Sequence, residues 1–478
     1  MAQTFYFYDL ETSGFSERED RIMQFAGQRT DMDLRPIGKP DNVLIKMTDD
    51  VLPQPDAILI TGITPQKTQA DGISEAEFVK YLTNQVFMPD TIMIGYNNLR
   101  FDNSFIRFLL WRNFTDAYEW TWKNGRSTWD LLDLVRMTRA LRPDGIKWPF
   151  ASDGRATVRL ELVAEVNKLD HDSAHDALSD VHVSIAVAQL IRTKQPKLFD
   201  YLLNLRGKTK VEALVGKGDP LIYISGRYPS EFEKATIVVA VVPHPEGRGM
   251  LMYDLRVDPT EFVKLTPAKL AAKWSARGED EPYFPLKLLS YNRSPAIAPL
   301  SVLDSASEAR LQLDRGVIDQ NLKKLRAAKT FARSVAVASE IVYPKHQPEL
   351  VIDEQQVDGQ LYDSFVNKTD RTKMGLVQAA DPDELSQLKL DFTDDRLRSL
   401  LPLYKARNFP QSLSADEHRW WEKFKTKRLL SGGETSRAVK YFKRIEELKT
   451  QPRLNKEQKY LLEELRLYAK SILPPTQP

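Results

Sequence analysis

Five residues of this sequence could do chemistry together: Asp9, Glu11, Asp102, His175 and Asp180. Asp9 and Glu11 stand two apart near the end of "FYFYDLETSG", Phe5 to Gly14. A strand alternates its faces with period two, so both side chains point the same way. The aromatic run favours a strand, and Thr12-Ser13-Gly14 reads as its exit. Two carboxylates that close repel each other and are costly to desolvate unless a cation sits between them. A metal ion is one reading, and a solvated turn is the other. Asp102 follows in "GYNNLRFDNSF", and His175 and Asp180 bracket "HDALSD". Five helical residues turn through about 500°, so these two cannot share a face of one regular helix. His175 is expected at or before the helix start, leaning toward a site that Asp180 faces. Singly, each residue has a structural explanation: Asp102 as a helix cap, the others as solvated positions. Their conjunction, in this order, is far more specific than any member.

The elements that must position them alternate. Through about residue 190, strand-like and helix-like patterns succeed one another, as in an α/β domain. "TIMIGYNN" (Thr91 to Asn98) reads as a buried strand, "SFIRFLLWRNF" (Ser104 to Phe114) as a helix. "HDALSDVHVSIAVAQLIRTKQP" reads as a helix capped by Asp176, with Pro196 beyond its end. After Pro196 come short β-rich runs: "LIYISGRYP", "ATIVVAVVPHPEGRGMLMYDL" and "YFPLKLLSYNRSPAIAP". These predict a small antiparallel barrel or sandwich. Val317 to Ile341 reads as helical, and from about Gln347 the chain reads as all-helical.

With 478 residues, two to four domains are expected. The absence of cysteine excludes disulfides, thiolate metal sites and cysteine nucleophiles, and fits a reducing compartment. No secretory signal or membrane-spanning run is expected. The net charge of +2 neither favours nor excludes nucleic acid. Locally the balance differs, since Arg192 to Lys217 holds seven Lys or Arg against two acids. That run reads either as a solvated linker or as a nucleic-acid rim.

The motifs Asp-x-Glu, Asn…Phe-Asp and His-x4-Asp resemble the three exonuclease motifs of the DEDDh superfamily, which has an RNase H-like fold. The resemblance extends to "LPQPDAILITGITPQ", "WDLLDLVR", "LRPDGIKWP", "NKLDHDSAHDALSDV", "RTKQPKLFDYL" and "YKARNFPQSL". These are similar to the bacterial exonuclease I family over nearly the whole chain, most weakly between Gly207 and about Leu350. The resemblance implies an exonuclease domain (1–195), a small Src-homology-three-like barrel with a helical end (196–346) and an all-helical C-terminal domain (347–478). Such proteins close into a C shape around single-stranded DNA.

It also implies roles. Asp9, Glu11, Asp102 and Asp180 would hold two Mg²⁺ ions, Mn²⁺ substituting, with Glu11 also approaching the terminal nucleotide. His175 would be the general base. Arg107, Arg136 and Lys208 would contact phosphates, Tyr118 and Trp122 would stack on bases, and Arg159 would lie beside the terminal nucleotide. His244, Arg248, Asn292 and Arg293 are weaker barrel candidates. Four carboxylates without a thiolate suit Mg²⁺ better than zinc. The expected activity is processive 3′→5′ digestion of single-stranded DNA to 5′-mononucleotides, with a role in DNA repair and recombination. An exoribonuclease or mixed nuclease of the same superfamily and a non-catalytic single-strand-binding scaffold are the rivals. The expected protein is a cytoplasmic monomer that binds single-stranded DNA and no membrane. The family's association with the C-terminal tail of single-stranded DNA-binding protein is implied as well.

Overall fold

The computed structural model describes residues 2–169, 176–276, 283–344, 352–452 and 454–474. Its first sheet contains β1 (Thr4–Thr12), β2 (Ile22–Thr30), β3 (Asp41–Leu44), β4 (Thr91–Gly95) and β5 (Ser127–Asp130). The order is β3-β2-β1-β4-β5. β2 pairs antiparallel with both β1 and β3, while β4 and β5 run parallel to β1. Alternation along β1 divides two cores. Phe5 and Phe7 face a cluster with Trp129, Leu134 and Val181. Tyr6, Tyr8 and Leu10 face another with Phe25, Phe78, Ile106 and Leu109. A strand buried on both faces has no freedom to slip register, because a one-residue shift would exchange the two sets.

Two helices, Pro196–Leu205 and Lys208–Val215, precede the second sheet. The first β-rich run read after Pro196, "LIYISGRYP", opens that sheet at Leu221. Pro196 opens a helix instead of merely following one, since proline at the first helical position forfeits no intrahelical bond. The second sheet is antiparallel: β6 (Leu221–Ile224), β7 (Ala235–Pro243), β8 (Gly249–Asp254), β9 (Leu286–Ser290) and β10 (Ala296–Pro299), ordered β10-β6-β7-β8-β9. β9 and β10 are consecutive in the chain yet occupy opposite edges. Five flat strands would be about 19 Å across at usual spacing, and the short connector contains a turn. The sheet must therefore curl toward a barrel. Val317 to Ile341 is broken into two helices, Arg315–Ala327 and Phe331–Val342. The break lets Phe331 pack edge-on to Tyr253, with ring centroids 6.0 Å apart.

The described residues beyond 352 form no strand. Helices there dock on the first sheet's domain through two apolar clusters. One joins Met23, Met47 and Ile58 to Ile445, Leu462 and Leu465. The other joins Trp111 and Phe114 to Leu397, Leu400 and Trp421. Beside them lies a buried ionic knot. Arg21, just past the β1–β2 turn, donates to Asp358 at 2.8 Å, and Arg407 donates to both Asp358 (2.8 Å) and Asp50 (2.7 Å). Surrounding arginines hold both aspartates below the usual carboxylate range despite their burial. No helix among the described residues is long and apolar enough to cross a membrane.

Candidate active site

Parallel pairing of β1 with β4 stops at Phe7–Ile94, so Asp9 and Glu11 lie past it, at the carboxyl end of a central strand. Open α/β sheets bind ligands at such ends. A bulge between Glu11 and Thr12 then breaks the pairing with β2. Asp9 and Glu11 continue the Phe5–Phe7 face, which the helix Ala177–Lys194 covers. Asp176 caps that helix by accepting from the Ser179 amide at 3.2 Å, and Asp180 sits in its first turn. Carboxylate oxygens of Asp9, Glu11 and Asp180 come within 4.8 Å of one another. Asp102, the first residue of the helix Asp102–Arg112, is not part of this trio but lies near enough to be the strongest charge acting on Asp9. It does not occupy the cap position, which falls to Phe101.

The cluster is electrostatically strained. Burial, then Asp102, Glu11 and Asp180, raise the Asp9 pKa well above the carboxylate range. Burial, then Asp180 and Asp102, push Glu11 up to about 8. Burial pushes Asp102 up to about 7, opposed by its own amide and that of Leu10. The groups acting most strongly on Asp9 and Glu11 are thus other acids. An all-oxygen donor set of this kind fits a hard divalent cation. His175 lies outside the described residues.

The expected strand contacts lie on several elements. Arg107 lies over the Tyr118 ring, 5.8 Å from its centroid. Trp122 is 61% exposed. Arg136 pairs with Asp133 at 2.8 Å, and Arg159 pairs with Glu161. Lys208 opens its helix in an exposed position. In the barrel, burial and then Arg107, Arg227 and Arg100 lower the Arg293 pKa, so this sheet brings a cation to Arg107. Asn292 and Arg248 are exposed, Arg248 pairing with Glu246. His244 is buried, and its Nδ1 accepts from the Glu246 amide.

Sequence matches agree with this division of elements. Residues 6–188 match an exonuclease family model, 206–339 the exonuclease I SH3-like domain and 355–472 the exonuclease I C-terminal domain. Exodeoxyribonuclease I of Haemophilus influenzae is 38% identical over 434 residues, covering 89% of this chain and 90% of that protein. The chain belongs to the exonuclease I family. Among solved family structures, that of Methylocaldum szegediense exonuclease I superposes with a TM-score of 0.92 at 39% identity, covering 99% of this chain and 100% of that one. Escherichia coli exonuclease I in complex with a dA16 oligonucleotide gives 0.92 at 36% identity, covering 98% and 100%. Other similar solved structures are a zinc-bound complex of E. coli exonuclease I with single-stranded DNA and an SSB/exonuclease I structure with the inhibitor CFAM.

Two features of the site had no part in the expectations. Asp130 is buried between the amides of Asn97 and Leu132, both donating to its Oδ1 at 2.9 Å. Burial and then Asp133 push its pKa up to about 7. The only sequence signal was an acid just ahead of the apolar helical run in "WDLLDLVR". Tyr362, from the C-terminal part, places its ring 6.5 Å from Tyr118. Its separation of more than 240 positions hides that contact from any local pattern.

Proposed function

We propose that this exonuclease digests single-stranded DNA processively from its 3′ end and releases 5′-mononucleotides. The observation that carries the reading is the half-buried trio of Asp9, Glu11 and Asp180 at the carboxyl end of β1, with Asp102 beside it. These carboxylates would hold two Mg²⁺ ions, or Mn²⁺ in their place. When bound, such ions supply an activated water, neutralise charge at phosphorus and stabilise the leaving oxygen. Glu11 also borders the terminal nucleotide. A ring nitrogen of His175 takes the proton from the attacking water, a role suited to an imidazole near neutral pH. Arg107, Arg136, Arg159 and Lys208 hold phosphates, while Tyr118 and Trp122 stack on unpaired bases. The oligonucleotide complexes of E. coli exonuclease I support the substrate class.

We divide the chain at 1–195, 196–346 and 347–478, following the succession of sheet, curled sheet and helices. The protein acts as a cytoplasmic monomer in DNA repair and recombination, and docks the C-terminal tail of single-stranded DNA-binding protein. The solved SSB/exonuclease I structure supports that partner. End-labelled single-stranded DNA, blunt duplex and RNA, digested side by side with and without Mg²⁺, test the reading. Stepwise loss of 3′ nucleotides from single-stranded DNA alone, dependent on Mg²⁺, is expected. Preference for RNA, or binding without cleavage, would replace it with one of its rivals.

A further inference from the structure

A cavity of about 480 Å³ lies where the exonuclease domain meets the curled sheet, with Arg136, Arg139 and Arg159 on one side and Glu233 and Lys234 on the other. The two sides are in close contact. A Cβ added to Gly226 would come within 2.8 Å of Arg136 Nη2. Arg139, 5% exposed, is the clasp. Its Nε donates to Glu233 at 2.7 Å, and its Nη1 donates to the carbonyls of Pro149 (2.7 Å) and Thr157 (2.9 Å). One guanidinium thus joins the β6–β7 connection to the segment that leads into Arg159. The connection is held in an unusual shape, for Glu233 and Lys234 take consecutive left-handed conformations at φ 51° and 60°. Non-glycine residues adopt that region at a cost and persist there only where their surroundings hold them. Here the Lys234 amide donates to Pro229 and its carbonyl accepts from Ser225.

The charges around the cavity do not cancel. Arg139 is matched by Glu233, Arg136 by Asp133 and Arg159 by Glu161. Among the described residues Lys234 has no acidic partner. Burial, then Arg136 and Arg155, lower its pKa, as befits an ammonium kept near other cations. Holding a partly buried cation against like charges is unfavourable until an anion arrives.

We propose that Lys234, carried by the barrel, is a further contact for a nucleotide phosphate in this cavity, and that the Arg139–Glu233 pair positions it. The proposal rests on the reading of Arg136 and Arg159 as strand contacts. The phosphate is either a diester of the bound strand or the 5′-phosphate of the released nucleotide.

Lys234→Asn tests it, because asparagine accepts the left-handed backbone and removes the ammonium together with its reach. For the strand, the variant lowers single-stranded DNA affinity about tenfold and shallows the slope of log affinity against log salt by about 0.7. For the product, it weakens inhibition by a 5′-mononucleotide by a similar factor and leaves the strand slope alone. Lys234→Arg restores either loss. Glu233→Ala separates positioning from charge. Removing an acid from a cationic cavity tightens anion binding if charge alone matters, whereas loss of positioning weakens it. Unchanged strand affinity and unchanged product inhibition in Lys234→Asn, with Arg159→Ala still weakening strand binding, overturn the proposal alone. If Arg136→Ala and Arg159→Ala also leave both quantities unchanged, the underlying reading of the cavity falls with it.

Discussion

Removing the negative charge of Glu11 should stabilise the metal-free protein while crippling the enzyme. The carboxylate oxygens of Asp9, Glu11 and Asp180 lie within 4.8 Å of one another. At an effective dielectric of 20, two unit charges at that separation repel by roughly 3.5 kcal/mol. Glu11 responds by holding its proton up to about pH 8, from an ordinary value of 4.5. The folded state therefore binds more protons than the unfolded state between those two pH values. Stability then falls as pH rises through the window, by up to about 1.4 kcal/mol per pH unit from this one group. Between pH 5 and 8 the EDTA-treated wild type should lose on the order of 3–4 kcal/mol more than Glu11→Gln. Urea unfolding at pH 5, 6.5 and 8, followed by tryptophan fluorescence, measures this. Millimolar Mg²⁺ should narrow the gap at pH 8, since a cation bound only by the folded state stabilises it. An identical pH dependence in the two proteins, or a Glu11→Gln variant less stable than wild type at pH 8 in EDTA, would refute the account of Glu11 as a repelled, cation-seeking group.

Asp9→Ala and Asp180→Ala should each nearly abolish cleavage with the circular dichroism spectrum intact; near-normal turnover at saturating Mg²⁺ would remove them from the catalytic set. His175→Ala should slow turnover by about 10²–10⁴ with little change in strand affinity. Proportional loss of binding would make His175 a strand contact instead. Neutralising Lys208 and Lys210 together should shallow the salt dependence of binding by a slope of roughly 1.4 and shorten each processive run, read from product-length distributions. Asp358→Ala leaves Arg21, Arg407 and Arg428 facing one another in the buried knot. It should cost about 3–5 kcal/mol in denaturant unfolding. Because Asp358 and Asp50 are held below the carboxylate range, their contribution is present above about pH 4 and is lost as pH falls through their folded values.

What could be read in advance was what the chain encodes locally. The period-two run of β1 placed Asp9 and Glu11 on one face, and Asp176 announced the helix that carries Asp180. Punctuation was read less well. Pro196 can close one helix or open the next, and the sequence of "RTKQPKLFDYL" does not distinguish the two. The break between Ala327 and Phe331 carries no proline or glycine, so a continuous helix was the natural reading. Contacts made at long range were illegible. Arg21 meets Asp358 across 337 positions and Arg139 meets Glu233 across 94. In the sequence, each is one more charged residue among many.

These distant pairs bear on the site because of what the site demands. Four acids drawn together at the end of β1 repel, and a loosely held strand would relieve the repulsion by moving them apart. β1 cannot do so. Phe5 and Phe7 anchor one face, Tyr6, Tyr8 and Leu10 the other, and both sets are buried. The turn that follows is fixed twice more. Ser13 and Arg21 exchange hydrogen bonds across it, the Ser13 amide donating to the Arg21 carbonyl and the Arg21 amide to Ser13 Oγ, each at 2.8 Å. Arg21 in turn is locked to Asp358 of the C-terminal helices. The helical domain therefore braces the strand that carries Asp9 and Glu11. Electrostatic strain can persist at a functional site only where packing elsewhere prevents its release, and in this chain part of that packing is supplied from more than 300 residues away.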